Sequence, residues 1–353
     1  MNKVKHAFCF PGGGFKGATQ VGFLKAAIEH NIHADIISGT SVGTLVGAFA
    51  AMRKYNLLFD LWDHVGKTNG SIITKTYLAE LRDGGVYPNI DQIKDILTNG
   101  IGFKDKIGLI TKKGQQKFIQ KVIENGKSID KIMDNSPLFD LLTQHVFKKD
   151  FQADFHFTLV SLYDGKLYKV NQNSFADDHN LRLGMLASTA MPGVWAPIPW
   201  IRLADGTFIR DAVDGGLRMS SPLPLIMSKL TKGNPWKVYT PNANSIYQSI
   251  NDQKKNLVTQ AASAIDILLN EGLQRDIKMT EKINEWALKY PEWAEKEGIV
   301  YAELFNIEVP LNERGESLLG RTLDPRAEWI EKRIQIGYES ATKIFQNLST
   351  QAA

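Results

Sequence analysis

The chain has 353 residues, with 42 Lys+Arg against 38 Asp+Glu for a formal net charge of +4; it is 43% hydrophobic and contains one cysteine. That apolar content excludes an intrinsically disordered chain, the lone Cys9 excludes an intrachain disulfide or a thiolate-rich zinc site, and so small a net charge carries no nucleic-acid signature. No run reaches the ~18 apolar residues of a membrane span, and the apolar stretch before Pro11 is too short for a secretory signal, so a soluble cytoplasmic protein is expected. The length allows two or three domains or one large one.

In chain order, His6–Phe10 reads as a short buried strand that runs into Pro-Gly-Gly-Gly. Cys9 within it reads as a reduced core residue. Ala18–His30 has helical spacing, with Val21, Leu24, Ala27 and Ile28 on one face. Asp35–Ser38 reads as a second strand, Gly39–Gly43 as a turn, and Thr44–Met52 as an apolar helix. This alternation predicts a mostly parallel sheet covered by helices.

Residues 66–150 are less regular and read as a largely helical insertion, a candidate cap over a site. Phe155–Tyr163 and Lys166–Val170 flank Asp164-Gly165, and Trp200–Leu203 and Thr207–Asp211 flank Asp205-Gly206, which predicts two hairpins. From about residue 250 the chain is helix-rich. Leu257, Ala261, Ile265, Leu268, Leu273 and Ile277 form one stripe, Phe305–Val309 a strand, and Ile330, Ile334, Tyr338, Ala341 and Phe345 a last helical face.

Three loops can carry chemistry. Gly12-Gly13-Gly14-Phe15-Lys16-Gly17 lies between a strand and a helix, where bare backbone N–H groups attract negative charge. It also satisfies G-x-G-x-x-G, which leaves a dinucleotide site and a plain tight turn as alternatives. The dinucleotide reading needs an acidic residue at the end of the second strand, but Asp35 lies at its start. Gly39-Thr40-Ser41-Val42-Gly43 is G-x-S-x-G between a strand and a helix, the setting that presents a nucleophilic serine. A serine needs a base, and none of the seven histidines has a turn setting that aims it at a sheet top. Asp214-Gly215-Gly216 supplies a carboxylate on a sharp bend, and Asp83-Gly84-Gly85 is a competitor within the insertion.

Together GGGFKG, GTSVG about two dozen residues on, and a distal DGG resemble the patatin-like phospholipase family. Ala187-Ser188-Thr189-Ala190-Met191-Pro192, Ser221-Pro222-Leu223 and Gly337-Tyr338 resemble further features of it. The resemblance covers about residues 5–54 and 155–225. It implies a three-layer α/β sandwich formed by one domain over 1–353, with a core over about 5–240. Carried onto this chain, it makes Ser41 the nucleophile, Asp214 the general base, and the N–H groups of Gly12, Gly13 and Gly14, chiefly the latter two, the oxyanion hole. Lys16, Gly17, Gly39, Gly43, Gly215 and Gly216 would support those loops. No metal or cofactor is implied. The chain departs from the family in having Lys16 where Arg is common and Ser221 where Asn is common.

The expected function is therefore a lipid acyl hydrolase that cleaves phospholipids or related esters through an acyl-Ser41 intermediate, with transient contact to a membrane surface. Trp195-Ala196-Pro197-Ile198-Pro199-Trp200 is read either as a lipid-contacting rim or as a packed loop. The alternatives are a non-catalytic or effector-gated lipid-binding protein on the same fold, and a dinucleotide-binding oxidoreductase that uses Gly12–Gly17.

Overall fold

The computed structural model describes residues 3–82, 85–99, 112–127, 129, 131–243, 257–313 and 317–352. The first half runs β1 (Lys5–Phe10), a 3-10 turn (Gly14–Gly17), α1 (Ala18–Glu29), β2 (Ile36–Gly39), α2 (Val42–Ala51) and α3 (Tyr55–Lys67). Next come β3 (Lys75–Thr76), β4 (Ala79–Arg82), β5 (Gly85–Pro88), α4 (Ile90–Thr98), α5 (Lys112–Lys127), β6 (Met133–Asp134) and α6 (Ser136–His145). The chain continues with β7 (Asp154–Ser161), β8 (Leu167–Asn171), α7 (Asp178–Thr189), β9 (Ile198–Arg202), β10 (Phe208–Asp214) and α8 (Leu223–Met227). It closes with β11 (Trp236–Pro241), α9 (Leu257–Lys289), α10 (Pro291–Lys296), β12 (Glu303–Ile307) and α11 (Ala327–Ala352).

The central sheet has eight strands in the order β12-β11-β1-β2-β7-β10-β9, with β8 also paired to β7. The half from β12 to β7 is parallel, and β8, β10 and β9 join it antiparallel, so the sheet is mixed. Both Asp-Gly hairpins form as the sequence predicts, with Gly165 and Gly206 at positive φ in their turns.

Side-chain alternation builds the layers. On β1, Phe8 and Phe10 pack into the core shared with α1, α2, α3 and α11, whereas Ala7 and Cys9 face the second core beneath α8 and α9. Ile37 and Tyr239 join the first core, and Ile36 and Val238 the second. This is an α/β fold with a mixed sheet between two helical layers. α1 and α11 cross at Gly22 and Gly337, where an added Cβ would strike the partner helix backbone at Ile334 and Thr19 respectively. Tyr338 Oη then donates to Glu29 Oε2 at 2.6 Å.

Cys9 is fully buried, and burial pushes its thiol up to about 12, which suits a core position. The stretch 66–150 contains two small two-stranded pairs, β3–β6 and β4–β5, besides its helices. Asp83 and Gly84 lie outside the described residues, so that competitor has no place in the geometry below. The Leu257–Leu268 stripe falls on α9, where those side chains are likewise not described; Leu273 and Ile277 are buried as expected. Among the described residues, no helix is long and apolar enough to cross a membrane.

Candidate active site

Strand register brings the second and third loops together. β2 runs parallel to β7, with Gly39 opposite Phe157. β10 runs antiparallel, with Asp214 opposite Leu159. Because β8 occupies the other edge of β7, β2 and β10 must share one edge end to end. Their C-terminal residues therefore converge about 7 Å apart, two residues along β7 at ~3.3 Å per residue.

Ser41 sits at the start of α2 with φ 56° and ψ −130°, a sterically unfavourable conformation for a residue with a Cβ. The sharp bend is held from below. An added Cβ at Gly43 would land on the Phe10 carbonyl, and one at Gly39 on the Gly43 backbone. Thr40 Oγ1 and Thr158 Oγ1 share a hydrogen bond at 2.8 Å, Thr44 bonds Ser188 Oγ at 2.7 Å, and Ser188 Oγ donates to Thr158 O at 2.7 Å. These buried bonds tie the bend, β7 and α7 into one rigid unit.

Asp214 is buried at the last position of β10, three residues beyond the strand end expected at Asp211. Its backbone N–H donates to Ala190 O at 3.0 Å, and its Oδ1 accepts from the Gly216 N–H at 2.7 Å. Gly215 fits because a Cβ there would collide with Thr158. Burial pushes the Asp214 carboxyl up to about 6, while the facing Ser41 hydroxyl and the Gly216 N–H pull the other way.

The glycine loop borders the same bend. The Gly12 N–H donates to Ser220 O at 3.1 Å and so fastens the loop to the segment after Asp214-Gly215-Gly216. That N–H is therefore already paired within the protein. The Phe15 N–H donates to Thr322 O at 2.9 Å and the Lys16 N–H to Gly13 O at 3.1 Å. Among the described residues, no backbone acceptor pairs with the N–H groups of Gly13 or Gly14. Gly14 adopts φ +53°, and Gly17 leaves no room for a Cβ against Val42. Lys16 is 6% exposed, so it is a buried loop residue and not a solvated helix-start cation.

A cleft opens beside Ser41 and Gly14. Val42, Leu45, Trp62, Val65, Ile73, Leu138, Met191 and Trp195 line it. Its walls are mainly apolar, as expected for a hydrophobic ligand. The stretch 66–150 thus contributes lining through Ile73, Asn135 and Leu138. The Trp195–Trp200 segment divides: Trp195 Nε1 donates to Thr74 Oγ1 at 3.0 Å and its ring is packed, whereas Trp200 is exposed. Asn135 Nδ2 is buried without a hydrogen-bond partner among the described residues. Sequence reading missed Trp62, Asn135 and Leu138 as site residues. The one available signal was Asn135-Ser136-Pro137, a helix-start pattern that carries no information about a cleft.

None of the seven histidines lines this cleft. His156 is paired with Asp154 at 2.8 Å, and Asp35 accepts from the His6 N–H at the end of the sheet opposite the glycine loop. The acidic partner of a dinucleotide site is therefore missing from the required position.

The chain belongs to the patatin-like phospholipase family, which it matches over residues 8–227, a span that contains all three loops. Over a 51-residue segment it is 49% identical to Patatin-like phospholipase domain-containing protein 7 of Rattus norvegicus, covering 14% of this chain and 4% of that protein. Over 47 residues it is 47% identical to Lysophospholipase NTE1 of Eremothecium gossypii, covering 13% of this chain and 3% of that protein. The matched segments are thus a few per cent of those relatives' lengths. Among solved structures, VipD from Legionella pneumophila aligns with 97% of this chain and 67% of its own, at a TM-score of 0.39 and 12% identity.

Proposed function

We propose that the chain is a serine-dependent lipid acyl hydrolase, with Ser41 as nucleophile and Asp214 as its base. The observation that carries this reading is the convergence of a strained serine and a buried aspartate of raised pKa beside an apolar cleft. The Asp214 carboxylate takes the proton from Ser41 Oγ as that oxygen attacks the ester carbonyl carbon. The N–H groups of Gly13 and Gly14 receive the resulting oxyanion, each such donor contributing roughly 3 kcal/mol in the transition state. Collapse breaks the ester C–O bond, and Asp214 returns the proton to the leaving alcohol. Water, activated in the same way, then releases the fatty acid from Ser41.

The cleft holds the acyl chain, and its walls set the length accepted. Leu138→Trp, by filling the cleft, shifts preference toward short chains by roughly tenfold or more between octanoyl and butyryl p-nitrophenyl esters, since each lost methylene contact is worth ~0.8 kcal/mol. An unchanged chain-length profile would remove the cleft from the acyl site.

The raised carboxyl sets the pH response. Asp214 must be ionised to accept the proton, so kcat/KM rises with pH through about 6 and levels off above it. An inflection governed instead by a histidine, and abolished by its replacement, would contradict the assignment. A non-catalytic lipid-binding protein on this fold would show neither hydrolysis nor an inflection.

A further inference from the structure

The outer face of the β9–β10 hairpin presents an aromatic and cationic surface that the site itself does not use. Phe208 pairs with Arg202 and Arg210 with Trp200, and directly opposed residues share a face, so these four side chains lie together. Ile201 and Ile209, on the other face, are fully buried in the core that includes α7. Trp200 is 53% exposed and Phe208 52%, their rings meeting edge to face with centroids 6.0 Å apart. The Arg210 guanidinium lies 4.5 Å from the Trp200 ring centroid and 3.8 Å from that of Tyr163, itself 62% exposed in the β7–β8 turn.

The same surface continues to the loop that follows Asp214. Arg218 Nη1 donates to Gly165 O at 2.7 Å in the β7–β8 turn, and Leu217, the residue before it, is 52% exposed. Of the acids in the two turns, Asp164 is paired with Lys166 Nζ at 3.5 Å, and Asp205 keeps its charge while accepting from Thr207, so the three arginines outnumber the turn carboxylates left without a cation. Arg202, Arg210 and Arg218 thus stand among large exposed apolar side chains. Tryptophan and tyrosine partition to the boundary between headgroups and acyl chains, and cations beside them meet anionic headgroups.

We propose that this hairpin face, with the β7–β8 turn and Leu217, docks the protein on an anionic lipid bilayer surface. Charge complementarity and continuity with the Asp214 loop select that partner. The purpose of docking rests on the acyl-hydrolase reading, since it would hold the catalytic loops against the substrate phase. Binding itself does not depend on that reading.

The test is vesicle co-sedimentation of the full chain carrying Ser41→Ala, so that lipid is not consumed. Vesicles of phosphatidylcholine alone are compared with an equimolar mixture with phosphatidylglycerol. The expected result is preferential binding to the mixed vesicles, weakened by salt, with the Trp200→Ser/Phe208→Ser double variant and Arg202→Glu each lowering partition by roughly tenfold or more. Trp286→Ser, at an exposed tryptophan on α9, leaves partition unchanged. The same surface variants in an otherwise wild-type chain keep hydrolysis of a soluble short-chain ester within about twofold, which also shows that they fold. Absence of vesicle binding, equal binding by the surface variants, or a chain dimer that they dissolve would overturn the docking surface. Lack of ester hydrolysis in the wild type, with binding intact, would overturn the catalytic reading and leave the docking surface standing.

Discussion

Ser41→Ala lowers kcat/KM for a short p-nitrophenyl ester by roughly 10⁴-fold or more and leaves the circular dichroism spectrum unchanged, because it removes the attacking atom and no packing group. Asp214→Asn gives a loss of about the same size, since an amide cannot accept the serine proton. The two variants separate on stability. A carboxyl raised from 3.8 to about 6 binds its proton more tightly in the folded chain than in the unfolded one. Its contribution to stability is therefore fully present below the unfolded value and is lost as pH rises through about 6. Above that pH the buried charge costs on the order of 3 kcal/mol, at about 1.4 kcal/mol per unit. Asp214→Asn removes this cost, so its unfolding midpoint exceeds that of the wild type at pH 8 and approaches it at pH 4. Activity retained in either variant, or an Asp214→Asn chain less stable than wild type at pH 8, would contradict the dyad and its electrostatics.

Gly43→Ala produces a large loss of stability for a single added methyl group. The new Cβ would land on the carbonyl of Phe10, in a strand held on both edges by β2 and β11. Phe10 cannot move without breaking its pairing with β2, nor Gly43 without breaking the bend and the first turn of α2, so destabilisation of about 3 kcal/mol or more follows, with loss of soluble yield. Gly165→Ala is the control: it has φ +69° but no atom within 4 Å of the added Cβ. It costs about 1 kcal/mol of backbone strain and no packing. Urea midpoints measure both, and equal midpoints would mean that the serine bend is not held by β1.

Features with a local cause were legible in the sequence. The two Asp-Gly turns specify their hairpins, and a short apolar run ending in glycines specifies β1, the loop and α1. Features decided by distant partners were not legible. β11 is a central strand that the sequence reading passed over: its strand-forming residues, WKVYT, are few and stand between TKGNP and Pro241, and β1 and β12 supply the pairing that fixes them. β10 was expected to stop at Asp211, whose φ of 46° interrupts the extended chain, but pairing with β7 carries the strand on to Asp214. The same pairing places Asp214 beside the end of β2, which no spacing rule states. The cleft walls Trp62, Asn135 and Leu138 come from elements whose local pattern is that of ordinary amphipathic helices and their caps. Lys16 shows the converse: its charge suggests solvent, but the loop encloses it.

Ser41, as proposed, is an activated nucleophile at an acyl-transfer site. Its most direct test is incubation of the full chain with a fluorophosphonate probe, followed by intact-mass measurement and peptide mapping. One phosphonyl adduct per chain is expected, located on Ser41, with labelling slowed as pH falls below about 6 and abolished by Asp214→Asn. No adduct, or an adduct on any other residue, would contradict it.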